Sequence, residues 1–220
     1  KKINFFIKKK IITIVNGFDH LRIDNVIHKK RITKHFSNFS KVKILCLGAL
    51  NNTKNQITLL KVLKEIKIEV EVIFLGDGAK KEDLINFSKD LDSCTKTIFK
   101  GRVSRNLAIE HMIDADVSIS LSRGEGLPIA VLESMYAGCY QILSDIPPHK
   151  EISPPSNRCI FVDPSNKLEI IKSLHFMMEN ISSIRSERNS SKKYSINSFG
   201  LDNMLKQYMK VYNSLLYLKS

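Results

Sequence analysis

Apolar runs of four to six residues recur along the chain and alternate with stretches in which apolar residues fall three or four apart. The first pattern predicts strands buried on both faces, the second amphipathic helices, and their regular alternation predicts βαβ units. Val42–Leu47 reads as the first strand. Asn52 or Thr53 is placed to cap a following helix that carries Ile57, Leu59, Leu60, Leu63 and Ile66. The unit repeats with a strand at Glu69–Leu75, a turn at Gly76-Asp77-Gly78, and a helix through Leu84, Ile85 and Phe87. Further strands are expected at Thr97–Phe99, Val117–Leu121, Tyr140–Leu143 and Cys159–Val162, with Ser104 capping the helix through Leu107, Ile109 and Met112. Pro128 opens another helix, where its missing N–H costs nothing, and Gly138 stops it. Beyond Pro164 the pattern is helical to about Leu216, apart from a Ser/Asn-rich interruption near Ser186–Ser191.

Strands joined only by helices must be parallel, and right-handed crossovers then put helices on both faces. The expected fold is therefore α/β, a doubly wound parallel sheet of Rossmann-like type. In such sheets ligands sit beyond the carboxyl ends of the strands, so the loops after Leu47, Leu75, Phe99, Leu121 and Leu143 should line the site. Three regions are expected: a basic segment and linker at 1–40, the Rossmann-like domain at 41–180, and carboxy-terminal helices at 181–220.

Charge changes this picture only at one end. Residues 1–43 hold twelve Lys and Arg against Asp19 and Asp24, which is +10 of the formal +13 and leaves +3 for the rest. The body of the domain is thus no basic nucleic-acid surface, and nucleic acid is not expected as a partner. The amino-terminal segment reads either as a solvated lysine-rich stretch or as one drawn to an anionic membrane surface. The four cysteines are widely spaced, which suits reduced thiols and a cytoplasmic location, peripheral at the inner face of a membrane if the basic segment binds lipid. The chain opens Lys-Lys-Ile, without a Met, so it is expected to begin inside a longer polypeptide. The six histidines show no paired spacing, so no metal is expected. Gly76-x-Gly78 lacks the third glycine of a dinucleotide fingerprint and reads as a tight turn.

The chemistry concentrates in Ser122-Arg123-Gly124-Glu125-Gly126-Leu127-Pro128-Ile129-Ala130-Val131-Leu132-Glu133. Glu125 falls in a glycine-flanked loop at a strand end. Glu133 falls five residues past Pro128, about 7.5 Å along the helix at 1.5 Å per residue. Between them the helix start offers N–H groups, those of Ile129 and Ala130, to a phosphate. The order suggests sugar, diphosphate and ribose. Spacing alone equally permits a helix-capping Glu125 and a solvated Glu133.

This segment resembles the E-x7-E signature of retaining glycosyltransferase family 4, whose two-domain architecture is the GT-B fold. Other blocks agree in order: Val15-Asn16-Gly17-Phe18-Asp19 with the interdomain linker, Gly48 through Lys54-Asn55 with the first donor-domain loop, and Leu75-Gly76-Asp77-Gly78 with the second. Phe99-Lys100-Gly101-Arg102-Val103 resembles the third, and Ser144-Asp145-Ile146-Pro147 through Glu151 the sixth-strand loop. The match spans about residues 12–180. The resemblance implies the nucleotide-sugar-binding half of such an enzyme, with a UDP- or GDP-linked sugar as substrate, no further cofactor, and a glycan or lipid-linked acceptor on an amino-terminal domain that this chain lacks. It implies Glu125 and Lys54 as catalytic, the first on donor hydroxyls and the second on the diphosphate, and Glu133 on the ribose. Gly48, Gly76, Gly126, Leu127, Ile129 and Ala130 would line the donor, with backbone at Arg102 and Val103 against the base. One departure stands out: Ala49 occupies a position where the family commonly has Arg. Arg123 is a second cation within reach of the phosphates, or alternatively a partner for Glu125. A non-catalytic nucleotide-sugar-binding subunit and a basic membrane-binding module are the other readings.

Overall fold

The computed structural model describes residues 12–33, 41–152, 158–190 and 192–216. Lys1, Lys2, Lys8, Lys9, Lys10, Lys34 and Ser191, which figure in the sequence analysis, lie outside these residues. The chain begins with α1 (His20–Thr33), followed by β1 (Val42–Leu47), α2 (Gln56–Glu65), β2 (Val70–Leu75), α3 (Lys81–Ser88), β3 (Thr95–Gly101), α4 (Arg105–Asp114) and β4 (Val117–Ser120). It continues through α5 (Ile129–Tyr136), β5 (Tyr140–Ser144), α6 (Pro147–Glu151), β6 (Cys159–Val162), α7 (Lys167–Glu179), α8 (Ile181–Ser186), α9 (Lys192–Phe199) and α10 (Leu201–Leu216). All strand pairs are parallel, in the order β3-β2-β1-β4-β5-β6. The doubly wound α/β fold expected from the hydrophobic pattern is the fold observed.

The central strands are rich in apolar residues because they face two cores. Along β1 and β2, Ile44, Cys46, Val72 and Phe74 pack into one, with α2, α7 and α8. Leu45, Ile73 and Leu75 point into the other, with Phe18, Ile23, Ile109, Leu132 and Tyr136. Period-2 alternation thus distributes consecutive residues between opposite faces rather than between core and solvent.

Residues 18–33, which the sequence suggested belong to a basic linker, build part of the second core. Phe18 and Ile23 are fully buried, and α1 packs on α4 and α5. Lys29 is exposed, whereas Lys30 folds against α4 and pairs with Asp114; these charges obscure the apolar spacing of Ile23 and Val26. Phe18 also joins the two ends of the domain, since its N–H donates to the Phe199 carbonyl (2.9 Å) and its own carbonyl accepts from Leu201 (3.1 Å).

The expected cap of α2 is corrected. Helix α2 begins at Gln56, behind Asn55, which sits in the left-handed region (φ 57°) and makes no side-chain cap. Asn55 is instead buried, and its Nδ2 donates to the Leu121 carbonyl (3.1 Å), so the side chain joins the ends of β1 and β4. Ser104 does cap α4, accepting from Leu107 N–H, and Gly138, at φ 101°, ends α5.

Strand order reverses between β1 and β4, and their following loops diverge there to form the crevice that binds ligands in open α/β sheets. Gly76 makes the neighbouring loops fit together: its φ is 144°, and a Cβ there would lie 1.9 Å from the Gly48 carbonyl oxygen. Gly76→Ala is therefore expected to cost about 3 kcal/mol or more, combining backbone strain with a clash against main chain. A urea midpoint equal to that of the unsubstituted chain would contradict this close approach.

Candidate functional site

The loop between β4 and α5 is tied down at its root by three neighbours. Arg123 N–H donates to the Thr53 carbonyl (2.8 Å), Asn55 Nδ2 holds the Leu121 carbonyl, and Ser144 Oγ donates to the Ser122 carbonyl (2.6 Å). The turn ahead of α2 is closed by Asn51 Oδ1, which accepts from Lys54 N–H (2.9 Å). These bonds bring Lys54 and Glu125 together although 71 positions separate them. Lys54 Nζ lies 2.6 and 2.7 Å from the two oxygens of Glu125. The carboxylate side chain is only 9% exposed and the lysine 27%, so the pair is largely withdrawn from water.

Glu133 sits on the second turn of α5, 7% exposed. Its partner is Arg105, the first residue of α4, which was not singled out in the sequence. Burial pushes the Glu133 carboxyl above its ordinary range, and the Arg105 guanidinium opposes that shift without overcoming it. The signal for Arg105 was its place just after the capping Ser104, at the end of β3 that faces the other loops.

Ile129 N–H is already engaged with the Leu127 carbonyl (2.9 Å), so the expectation that it would serve a phosphate is corrected. The amides of Glu125, Gly126, Leu127 and Ala130 have no hydrogen-bond acceptor among the described residues. Arg123 is exposed and forms no pair with Glu125, whose oxygens Lys54 occupies. Gly48 and Gly76 meet through their backbones, as described above. Arg102 is exposed and Val103 half-buried beyond β3, where Gly76 N–H donates to the Gly101 carbonyl (2.9 Å). Asp77 accepts from Gly78 N–H and Lys81, which hold its carboxyl below the usual range. Ala49 is exposed, and its carbonyl accepts from Gln56 Nε2 (2.9 Å).

A buried imidazole completes the constellation. His149, on α6, is fully buried, and its Nδ1 lies 3.0 Å from the Ser144 carbonyl and 3.1 Å from Ser144 Oγ. Among the described residues no group of three or more His, Cys, Asp and Glu is arranged to hold a metal ion, and no helix is long and apolar enough to cross a membrane.

This six-stranded parallel sheet flanked by helices has the Rossmann-like form of a GT-B domain. The match to solved glycosyltransferases bears out the fold. The chain superimposes on Anabaena Alr3699/HepE in complex with UDP with a TM-score of 0.74 and 16% identity, covering 91% of this chain and 57% of that one. The catalytic domain of cholesterol-alpha-glucosyltransferase from Helicobacter pylori gives 0.63 and 21%, covering 72% and 99%. Residues 28–197 match the family described as glycosyl transferases group 1, and the chain belongs to that family. It is 31% identical over 171 residues to the capsular polysaccharide biosynthesis glycosyltransferase CapH of Staphylococcus aureus, covering 74% of this chain and 43% of CapH. It is 24% identical over 153 residues to a Campylobacter jejuni N-acetylgalactosamine-N,N'-diacetylbacillosaminyl-diphospho-undecaprenol 4-alpha-N-acetylgalactosaminyltransferase, covering 68% and 40%. The chain thus spans about two fifths of the length of these curated relatives.

Proposed function

We propose that this chain is the donor-binding half of a retaining family 4 glycosyltransferase that moves a sugar from a UDP- or GDP-linked donor to a glycan or lipid-linked acceptor. The observation that carries the reading is the meeting of Lys54 with Glu125 at the β1/β4 crevice, with the second buried carboxylate, Glu133, two turns of chain further on. In this reading Glu125 accepts from donor hydroxyls, and the Ala130 amide and Lys54 hold the diphosphate. Glu133 takes the ribose hydroxyls, and the backbone at Arg102 and Val103 faces the base. The leaving nucleoside diphosphate gains negative charge as the glycosidic bond breaks, so a cation held beside it stabilises the transition state more than the ground state. Arg123, exposed and one loop away, supplies the second cation that Ala49 does not.

The acceptor side belongs, in this reading, to a further domain across the crevice, in a cytoplasmic enzyme. CapH and the undecaprenol-linked relative support a polysaccharide or lipid-linked acceptor by their names. The 220-residue chain by itself is therefore expected to bind nucleotide without transferring sugar. Thermal unfolding with UDP, GDP and ADP in parallel tests the reading. A ligand at 100 times its dissociation constant adds about 2.7 kcal/mol to the native state, and for a domain of this size that raises the melting temperature by about 5–10 °C. At least one of the three should do so; no shift with any of them contradicts donor binding.

A further inference from the structure

We infer that His149 is a positioning residue of the donor site, which in its neutral form holds the root of the acidic loop through Ser144 and so sets Glu125 against the donor's sugar. The inference rests on the donor-binding reading. The Ser144 carbonyl can only accept, so His149 Nδ1 carries the proton and donates to it at 3.0 Å. The Ser144 hydroxyl spends its own proton on the Ser122 carbonyl, 2.6 Å away, and turns a lone pair to His149. The chain of bonds runs from α6 through the end of β5 to a carbonyl three residues before Glu125. Pro147 and Pro148 fix the turn that delivers the ring.

That tautomer leaves Nε2 as a bare acceptor, fully buried and with no hydrogen-bond partner among the described residues. A buried acceptor left unfilled costs about 1–3 kcal/mol. Packing alone would be better served by Leu or Phe. The charged groups that act on the ring are Glu125 and Lys54, from the loops after β4 and β1. Lys150 on α6 is turned away to Asp145 at the surface. Burial holds the imidazole below its ordinary pKa, partly offset by the Ser144 carbonyl and Glu125, which keeps it neutral and able to accept.

The test compares calorimetric affinity for UDP and UDP-glucose, or for GDP and GDP-mannose if the chain prefers guanine. The ratio within a pair isolates what the sugar adds. His149→Phe breaks the tie to Ser144 and removes the acceptor, and should lower the sugar's contribution about tenfold while nucleoside diphosphate affinity stays within about threefold. His149→Asn keeps a donor near the Nδ1 position without Nε2 and should lie between. If the Phe variant fails to fold, the Asn variant and Ser144→Ala carry the comparison. In the unsubstituted chain the sugar's contribution should also fall as acid protonates His149, whereas in His149→Asn it should stay flat over the same pH range. An unchanged ratio in the variants, equal losses for both ligands, or identical pH profiles would overturn the inference. Absence of any nucleotide binding by the unsubstituted chain would overturn the donor-binding reading together with it.

Discussion

Glu133→Ala is expected to remove most of the affinity for a nucleoside diphosphate while leaving the chain folded. A carboxylate that accepts from ribose hydroxyls contributes about 1.5–3 kcal/mol, so the dissociation constant should rise about 10- to 150-fold. The fold does not depend on this charge. Glu133 is 7% exposed, and burial raises its carboxyl pKa despite Arg105. A raised pKa means the folded state holds the proton more tightly than the unfolded one. The stabilising contribution is then present below the ordinary carboxylate range and is lost as pH rises through the folded value, so at neutral pH the ionised carboxylate costs stability. The isosteric Glu133→Gln should accordingly unfold at the same temperature as the unsubstituted chain or higher at pH 7, with the gap narrowing toward pH 4. A Gln variant clearly less stable at pH 7 would make Glu133 a structural partner of Arg105 and nothing more.

Lys54→Met should damage both stability and binding. Glu125 is 9% exposed, and Lys54 supplies both hydrogen bonds to its oxygens. Removing the cation leaves a nearly buried carboxylate without compensation, at a cost of about 1–3 kcal/mol. It also removes the positive charge expected at the diphosphate, so affinity should fall at least about tenfold. The double substitution Lys54→Met/Glu125→Gln separates the two effects, because the amide no longer needs a cation. Stability should return toward that of the unsubstituted chain while nucleotide affinity stays low, a coupling that chemical denaturation and calorimetry read directly. A double variant as unstable as the sum of the single ones would mean that the pair does not act as a unit.

The parts of this molecule that sequence made legible are those written in local patterns. Ile44, Leu45 and Cys46 announce a strand buried on both faces, and Pro128 with Gly138 bounds α5. Glu125 and Glu133 could be placed because both hang on these elements. What escaped depends on strand order. Arg105 reaches Glu133 only because the sheet puts α4 beside α5, which its place after the capping Ser104 does not by itself reveal. His149 was one of six scattered histidines until β5 was set beside β4, which brought Ser144 to the Ser122 carbonyl. Asn55 looked like a residue near a helix cap, yet its side chain spans to Leu121, 66 positions on. In α1, lysines hid the apolar spacing of Ile23 and Val26, so a packed helix read as linker. Long-range polar pairs carry no periodicity, whereas strands and helices do.

The nucleotide is expected to lie across the β1/β4 crevice with its diphosphate at the start of α5. Amide chemical shifts recorded during a titration with the nucleoside diphosphate that stabilises the chain test this most directly. The largest changes should fall on Gly126, Leu127 and Ala130, with further changes at Gly48, Lys54 and Arg102, and Glu133→Ala should abolish them at the same concentrations. Changes confined to the basic groove between α1 and α4, around Arg22 and Lys29, would contradict it.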